Sequence, residues 1–556
     1  MTSIFNRSLF FSGFFISAVC SILSLQTSRA ANFTWDGGGT TDNWTDAINW
    51  AGNVAPSNPS DTTGAADVIL FGGTTRTNPK LGVDSWYADR LEFTATAGAF
   101  TIGDALDRKT ISLRPTLSTT SHDSNLFLNN LSAATQTVED NILVYGVSAA
   151  NTGSGIHAKE GNIILNGNLQ ISGAFSSLRL KAASGKTLTI NGAITGSSGG
   201  WAVNDGGTVI LNNNNNTFSG NATIWSGTLK AGAAGALGSA TTGITMGHGS
   251  FNFNSALYTT NAFTISRDIN FVTPLALAAT PSGTAGQYIV GSESTGLTQY
   301  TGTIFNGTTS ANASAVTLDS KAATGRVNIN AITRNTGATG TNDSVTKIGA
   351  GIVAMMGTSN YSGNTLVQQG TFLVNGTIVT GSNNVQVSGS ATLGGAGTIN
   401  RSVTIAAAGI LSAGDMTGTT SLGGKLAVGD GGGIGLSLAN TSVLNFDLAS
   451  ASSTVDDEVS VSGNLILDGV LNVNNLGGFG NGTYRLFDFS GTLTDNGLDL
   501  VLGTKPAGFT YAIQITNMIT GRVNLLVTPE PGRALLVCAG LAALFLRRRR
   551  TALFSH

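Results

Sequence analysis

The densest group of ionisable side chains in the sequence is Asp456, Asp457 and Glu458. Clustered carboxylates on a turn can coordinate calcium, and two carboxylates flanking a glycosidic bond can hydrolyse it. Successive strand residues face opposite ways, so on a strand only Asp456 and Glu458 share a face. The favoured reading is a solvated turn, with calcium binding and glycoside hydrolysis as the chemistry it could otherwise do. The histidines His122, His157, His248 and His556 are not spaced with another His, Cys or carboxylate as metal ligands, and read as surface residues. Gly196-Ser197-Ser198-Gly199-Gly200 fits Gly-x-Ser-x-Gly in form, but a nucleophile elbow needs a strand before it and a helix after it. Gly185-Lys186-Thr187 ends like a phosphate loop, yet Leu180 stands where that loop needs its first glycine. Gly429-Asp430-Gly431-Gly432-Gly433 reads as a plain turn. No catalytic residue, metal or cofactor is therefore expected.

The elements around these residues read as strands. Charged residues make up 10% of the chain, against about 25% in ordinary globular proteins. Glycine reaches 75 residues and proline only 9, while 41% of the chain is hydrophobic, too much for a disordered polymer. Short alternations such as Asn162-Ile163-Ile164-Leu165-Asn166 and Thr187-Leu188-Thr189-Ile190-Asn191 recur between Gly/Asn turns. Their period is two, and residues 31–525 show no helical period, so the chain is all-β. Over residues 31–532 the basic residues number 21 and the acidic 30. A sparsely charged, acidic surface of this kind argues against nucleic acid as a partner.

An internal repeat sharpens the architecture. Gly206-Gly207-Thr208-Val209-Ile210 aligns with Gly349-Ala350-Gly351-Ile352-Val353, Phe218-Ser219-Gly220-Asn221 with Tyr361-Ser362-Gly363-Asn364, and Gly227-Thr228-Leu229 with Gly370-Thr371-Phe372, all at an offset of 143 residues. Each unit reads as strands joined at an aromatic-Ser-Gly-Asn turn and a Gly-Thr turn. Gly220 and Gly363 are the positions expected to need positive φ, and Asn221 and Asn364 could stack into an amide ladder. Strands this short bury nothing alone and must stack on neighbours. A right-handed parallel β-helix meets that need, with about 22 residues per coil and a rod on the order of 100 Å long; the alternative is two or three separate β-sandwiches. Trp35, Trp44 and Trp50 could stack on sugar rings or plug the first coil, and plugging is preferred, with Trp86 and Tyr87 in the same cap.

The stretch from Lys347 to Gly351, with Tyr361–Thr365, Gly370–Gly376, Ala391–Ile399 and Gly409–Gly414, resembles the autotransporter-associated β-strand repeat. The resemblance covers about a third of the chain and implies a passenger-type β-helix on a bacterial surface. Autotransporters end in a membrane barrel, and no run of alternating strands for one precedes this C-terminus.

The two ends read as export signals. Arg7, the apolar run Leu9–Leu25 and Ser28-Arg29-Ala30 form a secretory signal cleaved between Ala30 and Ala31 by signal peptidase, the alternative being an uncleaved anchor. Cys20 and Cys538 lie in the two ends, so the mature chain has no thiol and must rely on packing and backbone hydrogen bonds. Pro529-Glu530-Pro531, the apolar run Ala534–Leu546 and Arg547, Arg548, Arg549 and Arg550 come in that order. The two prolines are expected to break any preceding strand. The apolar run is shorter than the roughly 20 residues of a stable spanning helix, which suits transient retention better than an ordinary tail anchor. This tail resembles the PEP-CTERM sorting signal, which implies processing by an exosortase at the inner membrane and a link to exopolysaccharide. The expected division is a signal peptide (1–30), a β-solenoid (31–439), a C-terminal β cap or final coils (440–525) and a sorting signal with a short membrane helix (526–556). The expected function is a non-enzymatic structural or adhesion protein, an adhesin of the cell surface or a secreted one in contact with extracellular polysaccharide. The alternative is a β-helical polysaccharide-active enzyme.

Overall fold

Strands as short as Ile163–Leu165 and Val385–Val387 cannot hold a core alone, and the chain stacks them in parallel. The computed structural model describes residues 31–530, 532 and 539–545, apart from 59–65, 116–125, 146–153, 176, 199, 250, 273–285, 307–314, 335–342, 380, 382, 418–419 and 496–499. Among the described residues one sheet has 20 strands and a second 23, and five N-terminal strands from Ser85–Ala88 to Ile194–Ser198 make a third face. Pairing along the stack is parallel, as a β-helix requires. Coil length varies from 18 residues (Thr392 to Ile410) to 37 (Leu91 to Leu128).

The alternating pattern decides what faces inward. In Leu178–Ala182 the residues Leu178, Leu180 and Ala182 are buried, and Arg179 and Lys181 take the opposite face. Stacking turns such positions into ladders. Ile156 pairs with Leu180, Leu180 with Val203, Val203 with Ile224, Ile224 with Met246 and Met246 with Phe271, and every one is buried. At about 1.5–3 kcal/mol for each fully buried large apolar side chain, these ladders supply what disulfides do not. Asparagines line an outer ladder: Asn191 Nδ2 donates to Asn166 Oδ1 (2.7 Å), Asn212 Nδ2 to Asn191 Oδ1 (2.7 Å), and Asn166 Nδ2 to Glu139 (2.6 Å).

The expected amide ladder therefore exists, but not at the repeat turns. Asn364 Oδ1 accepts from the Asn384 amide of the next coil (3.2 Å), and Asn221 is exposed at the start of its strand. Gly220 and Gly363 are not left-handed; that conformation falls to Gly206 and Gly349 (φ 83° and 77°) and to Gly227 and Gly370 (89° and 66°). Gly363 is needed for another reason: a Cβ there would lie 2.4 Å from the Asp343 carbonyl carbon of the coil beneath.

The two repeat copies run their tight corner in opposite senses. In the first, the chain passes from the 20-stranded sheet at Gly200–Asn204 to the 23-stranded sheet at Thr208–Leu211, and again from Asn221–Ile224 to Gly227–Ala231. In the second it passes from the 23-stranded sheet at Val345–Ile348 to the 20-stranded sheet at Ile352–Met355, and again from Thr365–Val367 to Thr371–Val374. Two buried cations staple that second copy. Lys347 Nζ donates to the carbonyls of Ile348 (2.7 Å), Gly349 (2.8 Å) and Gln369 (2.9 Å). Arg401 donates to the carbonyls of Gly363 (2.7 Å), Val379 (3.1 Å) and Tyr361.

Both ends of the stack are covered. Trp35, Trp44 and Trp50 are fully buried. Edge-to-face contacts join Trp35 to Trp50 (5.3 Å), Trp44 to Trp50 (5.9 Å) and Trp44 to Trp86 (5.5 Å). They plug the first coil and have no face left for a sugar. Tyr87 departs from this cap and stacks on Tyr145 at 6.4 Å. At the far end Gly482–Asp495, Ile519–Pro529 and Phe509–Ile515 pair antiparallel, with Phe509–Ile515 outermost. This change of direction ends the parallel edge, which an uncapped stack would leave open to aggregation. The strand expected to break before Pro529 instead ends on it: Phe509 pairs with Pro529, and the Glu530 amide donates to Gly508 (3.1 Å). Proline is tolerated at such a strand end.

Candidate functional site

Strand register brings together a cleft that no single segment of sequence announces. His157 pairs with Lys181 and Lys181 with Asn204; Arg179 pairs with Ala202, and Ala202 with Thr223, two residues before Trp225. Outward positions of four successive coils thus line one opening of about 550 Å³, bounded by Arg179, Lys181, Asp205, Trp225, Phe251 and Phe253. The Arg179 guanidinium lies 3.8 Å from the centre of the Trp225 ring. His248 meets Trp225 edge-on at 5.0 Å, and Phe251 and Phe253 stack at 5.5 Å. Those two phenylalanines are 56% and 42% exposed, an apolar shelf beside a cationic wall.

The electrostatics are uneven. His157 Nε2 lies 2.6 Å from Asp205 Oδ2, with Lys181 Nζ at 4.0 Å. The hydrogen bond from His157 holds the Asp205 carboxyl below its usual range. Arg179 has no such partner: its Nε and Nη1 are shut off from solvent and meet no acceptor among the described residues. Burial pulls its guanidinium down to about 10. Burial, with Arg179 nearby, likewise lowers His248. His157, expected at the surface, is instead 5% exposed, because its strand turns it under Asp205 of a later coil. His122 and His556 lie outside the described residues.

The acidic cluster is built into the backbone. Only Glu458 belongs to a strand, Glu458–Val461, so the shared-face argument for Asp456 does not apply. Asp457 is fully buried and not solvated as expected. Its two oxygens accept the amides of Gly424 (2.8 Å) and Asp447 (2.8 Å), and burial pushes its carboxyl up to about 8. Asp456 accepts the Ala449 amide (2.6 Å), and Glu458 pairs with Lys425 (2.7 Å). Among the described residues no group of three or more His, Cys, Asp or Glu could hold a metal ion. Ser197 and Ser198 end the strand Ile194–Ser198, and the next element is the strand Gly200–Asn204, so no elbow forms. Gly185 and Lys186 form a turn into the strand Thr187–Ile190.

Of the terminal signals, Ala31 is described: its amide donates to Asp67 (3.2 Å). Ala30, Pro531 and Arg547–Arg550 lie outside the described residues. Residues 539–545 are helical and exposed. Among the described residues no helix is long and apolar enough to cross a membrane.

The stacked strand-and-corner units can be set beside known proteins. Residues 203–231 and 345–374 match the passenger-associated-transport-repeat. The chain carries this autotransporter-associated repeat twice, and both copies hold the reversed glycine corners described above. The adhesin BmaC autotransporter of Brucella suis biovar 1 (strain 1330) is 39% identical over 111 residues. That similarity spans 20% of this chain and 3% of the adhesin's length. The first repeat copy contributes Asp205, Gly206, Trp225 and Ser226 to the cleft wall, so repeat and cleft share residues. Sequence reasoning passed over the cleft because its members are separated by a coil each. The available signal was Arg179 and Lys181 alternating with Leu178 and Leu180, which sets both cations outward.

Proposed function

We propose that this chain is an exported, non-catalytic β-helical protein of the cell surface or extracellular matrix, acting as an adhesin or structural rod. The observation that carries the reading is the stack itself: parallel coils capped at both ends, with the passenger-type repeat built into the wall. A rod of this kind holds outward-facing Thr, Asn and aromatic positions in fixed register for contact with extracellular polysaccharide. Its winding is right-handed, as crossover connections between parallel strands almost always are. Similarity to an autotransporter adhesin supports the same class. Glycan hydrolysis at Asp456–Glu458 is disfavoured because Asp457 is sealed by two backbone amides and Glu458 is engaged by Lys425.

Export begins with signal peptidase cutting between Ala30 and Ala31, and ends with an exosortase acting at Pro529-Glu530-Pro531. The helix that follows, with Arg547–Arg550, holds the chain briefly in the inner membrane. The cap strand ending at Pro529 supports this order, since a cut beyond it leaves the antiparallel cap whole. Mass spectrometry of both termini in fractionated cells tests the proposal. The expected result is an envelope or medium protein starting at Ala31 and ending close to Pro531; an uncut chain in the cytosol would refute it.

A further inference from the structure

The cleft formed by Arg179, Lys181, Trp225, Phe251 and Phe253 combines two features that call for one ligand. Exposed aromatic rings present flat apolar faces, which suit the C–H faces of a pyranose. Beside them sits the Arg179 guanidinium, whose Nε and Nη1 are closed off and meet no acceptor among the described residues, which leaves its charge without a carboxylate partner there. Lys181 adds a second cation, and Asp205 already has His157 as its partner. The wall is locally cationic on a rod with 21 basic and 30 acidic residues between positions 31 and 532. A bare anion would give the phenylalanine shelf no role. A neutral sugar would leave Arg179 unsatisfied.

We propose that this cleft is a binding site for acidic polysaccharide, taking a uronate residue with its ring on Phe251 and Phe253 and its carboxylate on Arg179. The volume of about 550 Å³ falls within the roughly 300–1,000 Å³ of small-molecule sites. Because the site opens across successive coils, the polymer continues along the rod on either side of the bound residue. The assignment deepens the surface-binding reading above and names its ligand class.

Titration calorimetry of the purified secreted protein tests it, with a short oligogalacturonate, its methyl ester and a neutral cello-oligosaccharide as probes. The wild type should bind the free acid about tenfold or more tighter than the ester, the range of one hydrogen bond to a charge. R179M should abolish that preference, and R179K should restore part of it. F251A/F253A, which removes two exposed rings and leaves the core untouched, should weaken all three sugars. Rising salt should erode binding of the acid alone. Preference for the acid persisting in R179M, unchanged binding by F251A/F253A, or no binding by the wild type overturns the assignment. If the protein still adheres to acidic polysaccharide with both variants silent, the cleft is wrong and the surface role stands. If the intact chain is also cytosolic, both fail.

Discussion

Replacing Gly370 by alanine tests the corner geometry most directly. The residue is left-handed (φ 66°), and a Cβ there would lie 2.4 Å from the Gly349 carbonyl oxygen and 2.6 Å from that of Gly351. Two penalties therefore combine. Left-handed backbone costs a non-glycine residue about 1–2 kcal/mol, and overpacking costs about 1–3 kcal/mol. Two further variants separate them. Gly185 has φ 76° with nothing within 4 Å, so G185A meets only the first. Gly363 is not left-handed, but its Cβ would lie 2.4 Å from the Asp343 carbonyl carbon and 2.5 Å from the Ser344 nitrogen, so G363A meets only the second. G370A should lose about 2–5 kcal/mol, G185A about 1–2 kcal/mol and G363A about 1–3 kcal/mol. A coil stack need not unfold in one step, so native-state hydrogen exchange is the proper assay. The reporters are the Thr371 and Thr392 amides, which donate to Gly351 (3.2 Å) and Gly370 (2.9 Å). G370A no costlier than G185A would show that the coils move apart freely, and would refute the reasoning.

Three further outcomes follow from the same contacts. W44A empties the centre of the N-terminal cap and should lose about 3–5 kcal/mol, with concentration-dependent association in light scattering as the first coil's edge opens. R401M leaves three carbonyls without their donor; at about 1–3 kcal/mol for each buried unsatisfied group, residues 345–413 should become the first site of limited proteolysis. Burial pushes the Asp457 carboxyl up to about 8 in the fold, well above the roughly 4 of an exposed aspartate. The native state therefore holds a proton that the unfolded chain has lost, and stability contributed by this group falls as pH rises from about 4 to 8. Melting of the C-terminal coils at pH 5 and pH 8 should show that fall, and D457N should flatten it while lowering stability at both.

The sequence made the all-β class and the stacking legible because a period of two with Gly/Asn punctuation admits little else. The Trp35, Trp44 and Trp50 cap was readable too, since bulky rings at one end of an open stack have one obvious place to go. The turn glycines were assigned less well. Gly220 and Gly363 sit in the most conspicuous motif, yet the left-handed residues are Gly227 and Gly370, and at Gly363 the demand comes from the neighbouring coil. Local sequence cannot show an inter-coil approach. The same blindness hid Asp457, whose amide partners lie at positions 424 and 447, and the Arg179–Trp225 contact. In a solenoid, adjacency is set by coil length, and coil length here is not constant.

The reversal of the glycine corner between the two repeat copies sets a phase rule for how such a chain can grow. An interval of 143 residues carries Thr208 in the 23-stranded sheet to Gly351, which leads into Ile352–Met355 of the 20-stranded sheet. The interval thus does not span a whole number of turns. Duplicating or deleting one such unit would swing everything downstream, cap and tail included, to another side of the axis. Only changes by whole coils keep the azimuth of the far end, so lengths should be gained or lost coil by coil wherever that azimuth matters.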